Sequence, residues 1–314
     1  MDQIKRIKQY ADHLRLTMLR NQAERFIHQA QIDKPSYLDY TRDILEQEVQ
    51  QRQKTDMERR VKLAHLPRNH NLEFYDYAFA SALLQSEGLT EYISNYHRRM
   101  YSSSSAIFWM YNDSWPVTHG WTIVDYYLRK KLAYHPVRRS FQQTCVVVAE
   151  EGDKINIYGI NDKQQSWKGK LQYGLFETGG KLPVNETKNV ILPPNASTLI
   201  ASFEKSVFER EGIKNHGAFA VLKEHDTIIS QYRLFLARFK DLALLKPQVS
   251  IRQSGDKAII TSTVYVWGLC LDINGESDIA DNCFDLLPGI PYTVNIRNGE
   301  KVQIMMTGND LMNR

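Results

Sequence analysis

The sequence predicts an α+β chain of several domains, a helical N-terminal region followed by two antiparallel β-sandwiches. Three observations carry that expectation. Apolar residues recur with helical period as far as about residue 100. From Cys145 onward they alternate in short runs instead. The pairs Gly152-Asp153, Gly179-Gly180, Gly255-Asp256 and Asn298-Gly299 fall between those runs, at hairpin positions.

Taken in order, Ile4, Ile7, Tyr10, Ala11, Leu14, Met18 and Leu19 form one stripe of a first helix, which Lys34-Pro35-Ser36 breaks. Ser36 is placed to cap a second long helix, with Asp39 in the reciprocal position three residues on. Leu38, Ile44, Leu45, Val49, Met57 and Val61 carry that helix towards Leu66-Pro67. After an aromatic segment, Leu83, Leu84, Leu89, Ile93 and Tyr96 predict one more helix, reaching His97. Strands are expected in CVVVAEEGDKINIYGIND, KGKLQYGLFETGGK, STLIASFEKSVF, GAFAVLKEHD, VSIRQSGDKAIITSTVYVWGL and YTVNIRNGEKVQIMM. Short strands with turns at this spacing fit immunoglobulin-like sandwiches, divided near Ala243 to Pro247.

Composition narrows the function classes. With 314 residues and 42% hydrophobic content, the chain has enough apolar surface for two or three domains with real cores. Lys and Arg number 40 against 36 Asp and Glu, a mixed surface without the positive bias of a dedicated nucleic-acid binder. Over residues 1–80 the balance is 14 to 12, so QQRQKTDMERR at 50–60 reads as a solvated helix face. The three cysteines are scattered, and His97, His119 and His135 lack acidic or cysteine partners at ligand spacing; neither metal nor cofactor is expected. The acidic run LDINGESDIAD at 271–281 lacks EF-hand spacing and reads as a loop. A charged N-terminus and the lack of any run of roughly 18 apolar residues predict no membrane partner and a cytoplasmic location.

Residues 1–80 carry LRLTMLRNQAERF, then SYLDYTRDILEQEVQQRQKTDMERRVKLAHLP, then LEFYDYAF. In that order they resemble the N-terminal helical region of the IstB-like helper ATPases of insertion sequences. The resemblance implies partners among DNA or transposase. It would also imply an ATPase core opening on a P-loop, GxxxxGK[ST], and the sequence has none; Gly179-Gly180-Lys181 reads as a hairpin turn.

Residues 81–314 carry LLQSEGLTEYISNYHRR, AIFWMYNDSWPVTHGWTIVDYYLRKKLAYHPVRRSF and LCLDINGESDIADNCFDLLPGIPYTV. These resemble the C-terminal part of glycoside hydrolase family 2 β-mannosidases. The resemblance implies that 81–141 is the remnant of a (β/α)8 barrel end, its last helix and strand, followed by sandwiches at 142–243 and 244–314. It makes AIFWMYND the eighth barrel strand, with Trp109 the floor of a sugar site and Asn112, Asp113 and Trp115 at the strand end where barrel sites are built. The ligands so implied are β-mannoside sugars, bound weakly by vestigial substrate-binding residues.

Retaining glycosidases need two carboxyl groups about 5–5.5 Å apart. In the resembled family both glutamates come from strands before the part matched here, so no catalytic residue is assigned. Asn185-Glu186 falls inside the turn KLPVNETKN and reads as an exposed loop, and the adjacent Glu150 and Glu151 point to opposite faces of a strand. Asp113 and Asp125 are the best-placed acids. The expectation is therefore a β-mannosidase-like C-terminal fragment joined near residue 80 to a transposition-helper N-terminus and lacking glycosidase activity. The alternative is a DNA- or protein-binding transposition accessory module without ATPase activity.

Overall fold

The computed structural model describes residues 3–63, 74–117, 120–225, 227–296 and 301–313. Helices and several antiparallel sheets are both present, in two compact units, Met1–Tyr75 and Asp76–Arg314. No helix among the described residues is long and apolar enough to cross a membrane.

The first unit holds α1 (Gln3–His13), α2 (Thr17–Asp33) and α3 (Tyr37–Leu63). The single stripe expected through Leu19 is divided, because Arg15 adopts a left-handed φ of 57° and the Leu16 amide turns back onto the Ala11 carbonyl. Ala11 and Ala23 are buried, and the Leu19 amide donates to Glu48 Oε1 at 2.7 Å. A left-handed Lys34 and then Pro35 end α2. Ser36 Oγ accepts from the Asp39 amide at 3.1 Å and donates to the Asp39 carboxylate at 2.6 Å, so the expected cap forms through side chains. The helix end expected at Leu66-Pro67 lies outside the described residues.

The second unit opens with α4 (Phe74–His97) and α5 (Tyr134–Ser140). Then come β1 (Thr144–Glu151), β2 (Lys154–Asn161), β3 (Trp167–Glu177), β4 (Val184–Leu192) and β5 (Ala196–Glu204). Next are α6 (Lys205–Glu211), β6 (His216–Glu224) and β7 (Thr227–Leu234). Sheets β1-β2-β5 and β4-β3-β6-β7 are antiparallel throughout. Their inner faces share one core, Val146, Val148, Ile155 and Ile157 from the first against Leu171, Leu175, Ala218, Ala220 and Leu222 from the second. The stretch STLIASFEKSVF is strand only to Glu204; α6 follows and buries Phe208 in the same core.

The remainder comprises β8 (Val249–Ser254), β9 (Lys257–Ser262), β10 (Val266–Leu269), β11 (Phe284–Leu286), β12 (Tyr292–Asn295) and α7 (Gly308–Met312). Sheets β12-β9-β8 and β10-β11 meet over Ala258, Ile260, Val266, Leu269, Leu286 and Val294. The hairpins at Gly152-Asp153 and Gly255-Asp256 form as two-residue loops, with both glycines at positive φ, 61° and 58°. The turn expected at Asn298-Gly299 lies outside the described residues.

The connection at 242–245 is no loose linker. Leu242 and Leu244 are buried in a cluster with Phe176 and Phe219 from the first pair of sheets and Tyr265 and Trp267 from the second. Phe79 and Leu83 of α4 enter the same cluster. Three elements distant in sequence therefore share one core, and each loses apolar burial without the others.

Candidate functional site

Residues 104–113 run beside α4. Ala106 and Phe108 pack on Leu89, Ile93, Ile123, Val124, Ala133 and Val137, while the alternate residues Ile107 and Trp109 face solvent. A parallel barrel strand is buried on both faces and paired on both edges. Residues 106–110 instead lie outside any strand and bend at Trp109, and Val124 bridges Asn112 in parallel and Lys130 in antiparallel fashion. Backbone bonds continue the first bridge: the Asp113 amide donates to the Val124 carbonyl at 3.2 Å, and the Ile123 and Val124 amides donate to the Tyr111 carbonyl.

The four residues assigned to sugar binding separate into two kinds. Trp109 and Trp115 are 75% and 66% exposed, two aromatic faces in water. Asp113 is buried, and its Oδ2 accepts from Lys131 Nζ at 3.1 Å; the same ammonium bonds Thr122 Oγ1. Asn112 is exposed and its amide donates to the Asp113 carbonyl at 3.3 Å. A side chain at Gly120 would press on Asp113 Oδ1 at 3.1 Å, so a small residue there leaves room for the carboxylate.

The second well-placed acid is held as tightly. Asp125 accepts from the Arg129 amide at 2.9 Å and from Arg129 Nε at 2.6 Å. Burial pushes its pKa up, but the bonds from Arg129 outweigh that and hold the carboxyl below its ordinary range. A general acid near neutrality needs the opposite shift. Glu151 accepts from Arg98, Asn156 and Tyr158, and Glu150 pairs with Lys205. Asn185-Glu186 is not the expected loop but part of β4, paired with β3, where Glu186 accepts from the Tyr173 hydroxyl opposite it. Each of these acids is committed to a local partner.

His97 bridges the Ser140 carbonyl at 3.1 Å and Asp162 Oδ2 at 2.9 Å. His135 is buried 3.6 Å from Asp281, and burial brings its pKa down to about 4 despite that carboxylate. His119 lies outside the described residues. In the acidic run, Asp272 takes backbone N–H bonds from Asn274, Gly275 and Ser277, a loop folded around its own carboxylate.

Sequence reasoning missed a largely buried charge cluster. Arg233 on β7 donates to Glu87 of α4, to Asp285 on β11 at 2.8 Å and to the Tyr265 hydroxyl at 3.0 Å. Trp267 Nε1 donates to the same Glu87 oxygen at 2.7 Å. A cleft of about 610 Å³ runs past this cluster between α4, β7 and the C-terminal sheets. One signal was available: Phe79, Leu83 and Glu87 recur every four residues, a carboxylate on the apolar stripe of a helix.

Comparison with known proteins places these features. The profile of the Mannosidase Ig/CBM-like domain matches residues 153–241, and that of the IstB-like ATP binding protein matches residues 9–91. β-Mannosidase B of Thermothelomyces thermophilus is 26% identical over 224 residues, 62% of this chain and 26% of the relative. The chain is thus similar to IstB-like proteins in its N-terminal region and to the C-terminal part of family 2 β-mannosidases over the rest. β-Mannosidase B of Neosartorya fischeri is 30% identical over 213 residues, 61% of this chain and 25% of that protein. The glycosidase-like chain thus spans about a quarter of the curated relatives it matches.

Among solved structures, the β-D-mannosidase of Dictyoglomus thermophilum superposes with a TM-score of 0.65 at 22% identity, over 72% of this chain and 29% of that one. The Amycolatopsis orientalis exo-chitosanase superposes at 0.52 and 16% identity, over 70% and 31%. Both likenesses concern the fold. The IstB-like match runs to residue 91, yet Phe79, Leu83 and Glu87 already belong to the glycosidase-like core.

Proposed function

We propose that this chain is a β-mannosidase-derived fragment without glycosidase activity, carrying a vestigial β-mannoside platform at Trp109, Asn112, Asp113 and Trp115. On this reading 81–141 is the end of a (β/α)8 barrel, and 142–243 and 244–314 are two immunoglobulin-like sandwiches. The observation that carries it is the state of the acids: Asp113 is paired with Lys131 and Asp125 with Arg129, so each is committed to a cation of its own and neither is free to serve in a catalytic pair. The exposed Trp109 and Trp115 support stacking on a sugar ring. Titration with a methyl β-mannoside should quench tryptophan fluorescence weakly, and Trp109→Ala should remove most of that change. A wild-type chain that releases an aryl leaving group from a β-mannoside, and loses that turnover in Asp113→Asn, overturns the reading.

The IstB-like match favours a second reading, in which the helical unit serves as a DNA- or protein-binding transposition accessory without ATPase activity. Its test is a mobility shift of duplex DNA that weakens steeply as salt rises. No shift at low salt counts against DNA as the partner.

A further inference from the structure

Cys270 and Cys283, one on each side of the acidic loop, stand opposite each other across two antiparallel segments. Leu269 and Phe284 are the last register partners of β10 and β11, which makes Cys270 and Cys283 the next pair along the same two segments. Beyond them the segments stay together: the Leu271 amide donates to Asn282 Oδ1 at 2.8 Å, and Asn282 Nδ2 donates to the Asp272 carbonyl at 2.6 Å. The two cysteines are therefore clamped from both ends. Cys270 directs its own backbone away from β11, its amide donating to the Met306 carbonyl and its carbonyl accepting from the Met305 amide, both at 2.9 Å. That is the non-hydrogen-bonded position of an antiparallel pair, where Cα atoms come within about 4.5 Å and side chains are closest. A disulfide spans Cα atoms about 4.4–6.8 Å apart.

Both side chains also enter one core. Cys270 and Cys283 belong to the cluster of Phe79, Leu83 and Trp267, whereas Leu269, Leu271 and Phe284 beside them pack into the other, with Ala258 and Ile260. Both are free thiols, 0% and 4% exposed, and Cys283 Sγ lies 3.8 Å from Ser86 Oγ of α4. Burial pushes both thiols up, and the neighbouring Cys283 sulfur adds to the rise at Cys270. Thiolate, the attacking species, is scarce in the folded chain, so exchange is confined to a chain that is folding or has opened. Cys145 stands apart, on β1 in a cluster with Val147 and Ile160.

We propose that Cys270 and Cys283 form a cross-strand disulfide when the chain folds in the presence of a small-molecule disulfide such as oxidised glutathione. One cysteine thiolate attacks the glutathione disulfide, giving a mixed disulfide and one glutathione thiolate; the second cysteine thiolate attacks the protein sulfur of that mixed disulfide and expels the other glutathione. The two protons lost by the protein thiols end on the two released glutathiones, so the chain is oxidised by two electrons and glutathione disulfide is reduced. The new bond ties β10 to β11 and closes the loop 271–282. It rests on neither functional reading given above. In the test, the full chain is reduced and unfolded in urea, diluted into a mixture of oxidised and reduced glutathione, and alkylated once refolded and again after unfolding. Cleavage after Lys257, Glu276 and Arg297 should yield 258–276 and 277–297 as one joined mass that splits on reduction, with Cys145 alkylated. The linked chain should unfold at a higher urea midpoint than the reduced one, because the link narrows the unfolded ensemble. Cys270→Ala should show neither the link nor that gain, and Cys145→Ala should keep both. Recovery of 258–276 and 277–297 as separate alkylated or glutathione-bearing peptides, a link through Cys145, or a linked chain that unfolds at lower urea than the reduced one overturns the proposal.

Discussion

Replacing Arg233 by Met should be the most damaging single change in the glycosidase-like unit. The guanidinium lies between Glu87 and Asp285 and also bonds the Tyr265 hydroxyl. Removing it leaves two buried carboxylates facing each other with no cation. Burial already pushes the Glu87 pKa up, and Arg233 is the largest influence pulling it back. Breaking a buried ion pair from one side costs about 3–5 kcal/mol, mostly for the charge left behind. Arg233→Met with Glu87→Gln removes one of the stranded charges and should recover about 1–2 kcal/mol of that loss. All five tryptophans fall in 76–314, so urea unfolding followed by tryptophan fluorescence reports this unit alone. The gap between wild type and Arg233→Met should narrow as pH falls, because protonating Glu87 discharges the stranded carboxylate. A cost below about 1 kcal/mol, or a double variant no more stable than the single one, would refute the assignment of Arg233 as the lock between α4 and the sheets.

Further outcomes follow from the same geometry. Leu83→Ala should lower the tryptophan-reported stability by about 2–5 kcal/mol, whereas the same change at the exposed Leu84 should be nearly silent. That contrast tests whether α4 belongs to the glycosidase-like core. His135 is held neutral, with its folded pKa depressed from 6.5 to about 4, so the stability it contributes is complete above pH 6.5 and is lost as pH falls through that window. The difference in unfolding free energy between wild type and His135→Asn, from urea titrations, should shrink by about 2 kcal/mol between neutrality and pH 5. Burial raises the Cys145 and Cys283 thiols to about 12 and raises Cys270 as well, so all three should resist an aromatic disulfide reagent until urea unfolds the chain.

Much of the second unit was legible because its signals are local. Glycine pairs fix two-residue hairpins, and alternation in CVVVAEE and KINIYGIN writes each strand's inner face into the sequence. The cap at Ser36 was readable for the same reason. The break at Arg15 was not, since nothing in its neighbours requires a left-handed residue there. The site divided along the same line. Trp109 and Trp115 were assigned through the family resemblance alone, and the pairing of Asp113 with Lys131 and of Glu87 with Arg233 joins residues 18 and 146 positions apart. No periodicity records such a partner. The expected barrel strand at AIFWM illustrates a further limit: its residues suit two buried faces, and the described residues pack one.

Hydrolysis of an aryl β-mannoside by the full purified chain is the most direct test of whether a catalytic pair survives here. With Asp113 and Asp125 clasped by Lys131 and Arg129, release of the aryl group should not exceed that of the Asp113→Asn variant or of buffer, even while tryptophan fluorescence reports a folded unit. Turnover that follows a bell-shaped pH profile and disappears on changing a single carboxylate would contradict it.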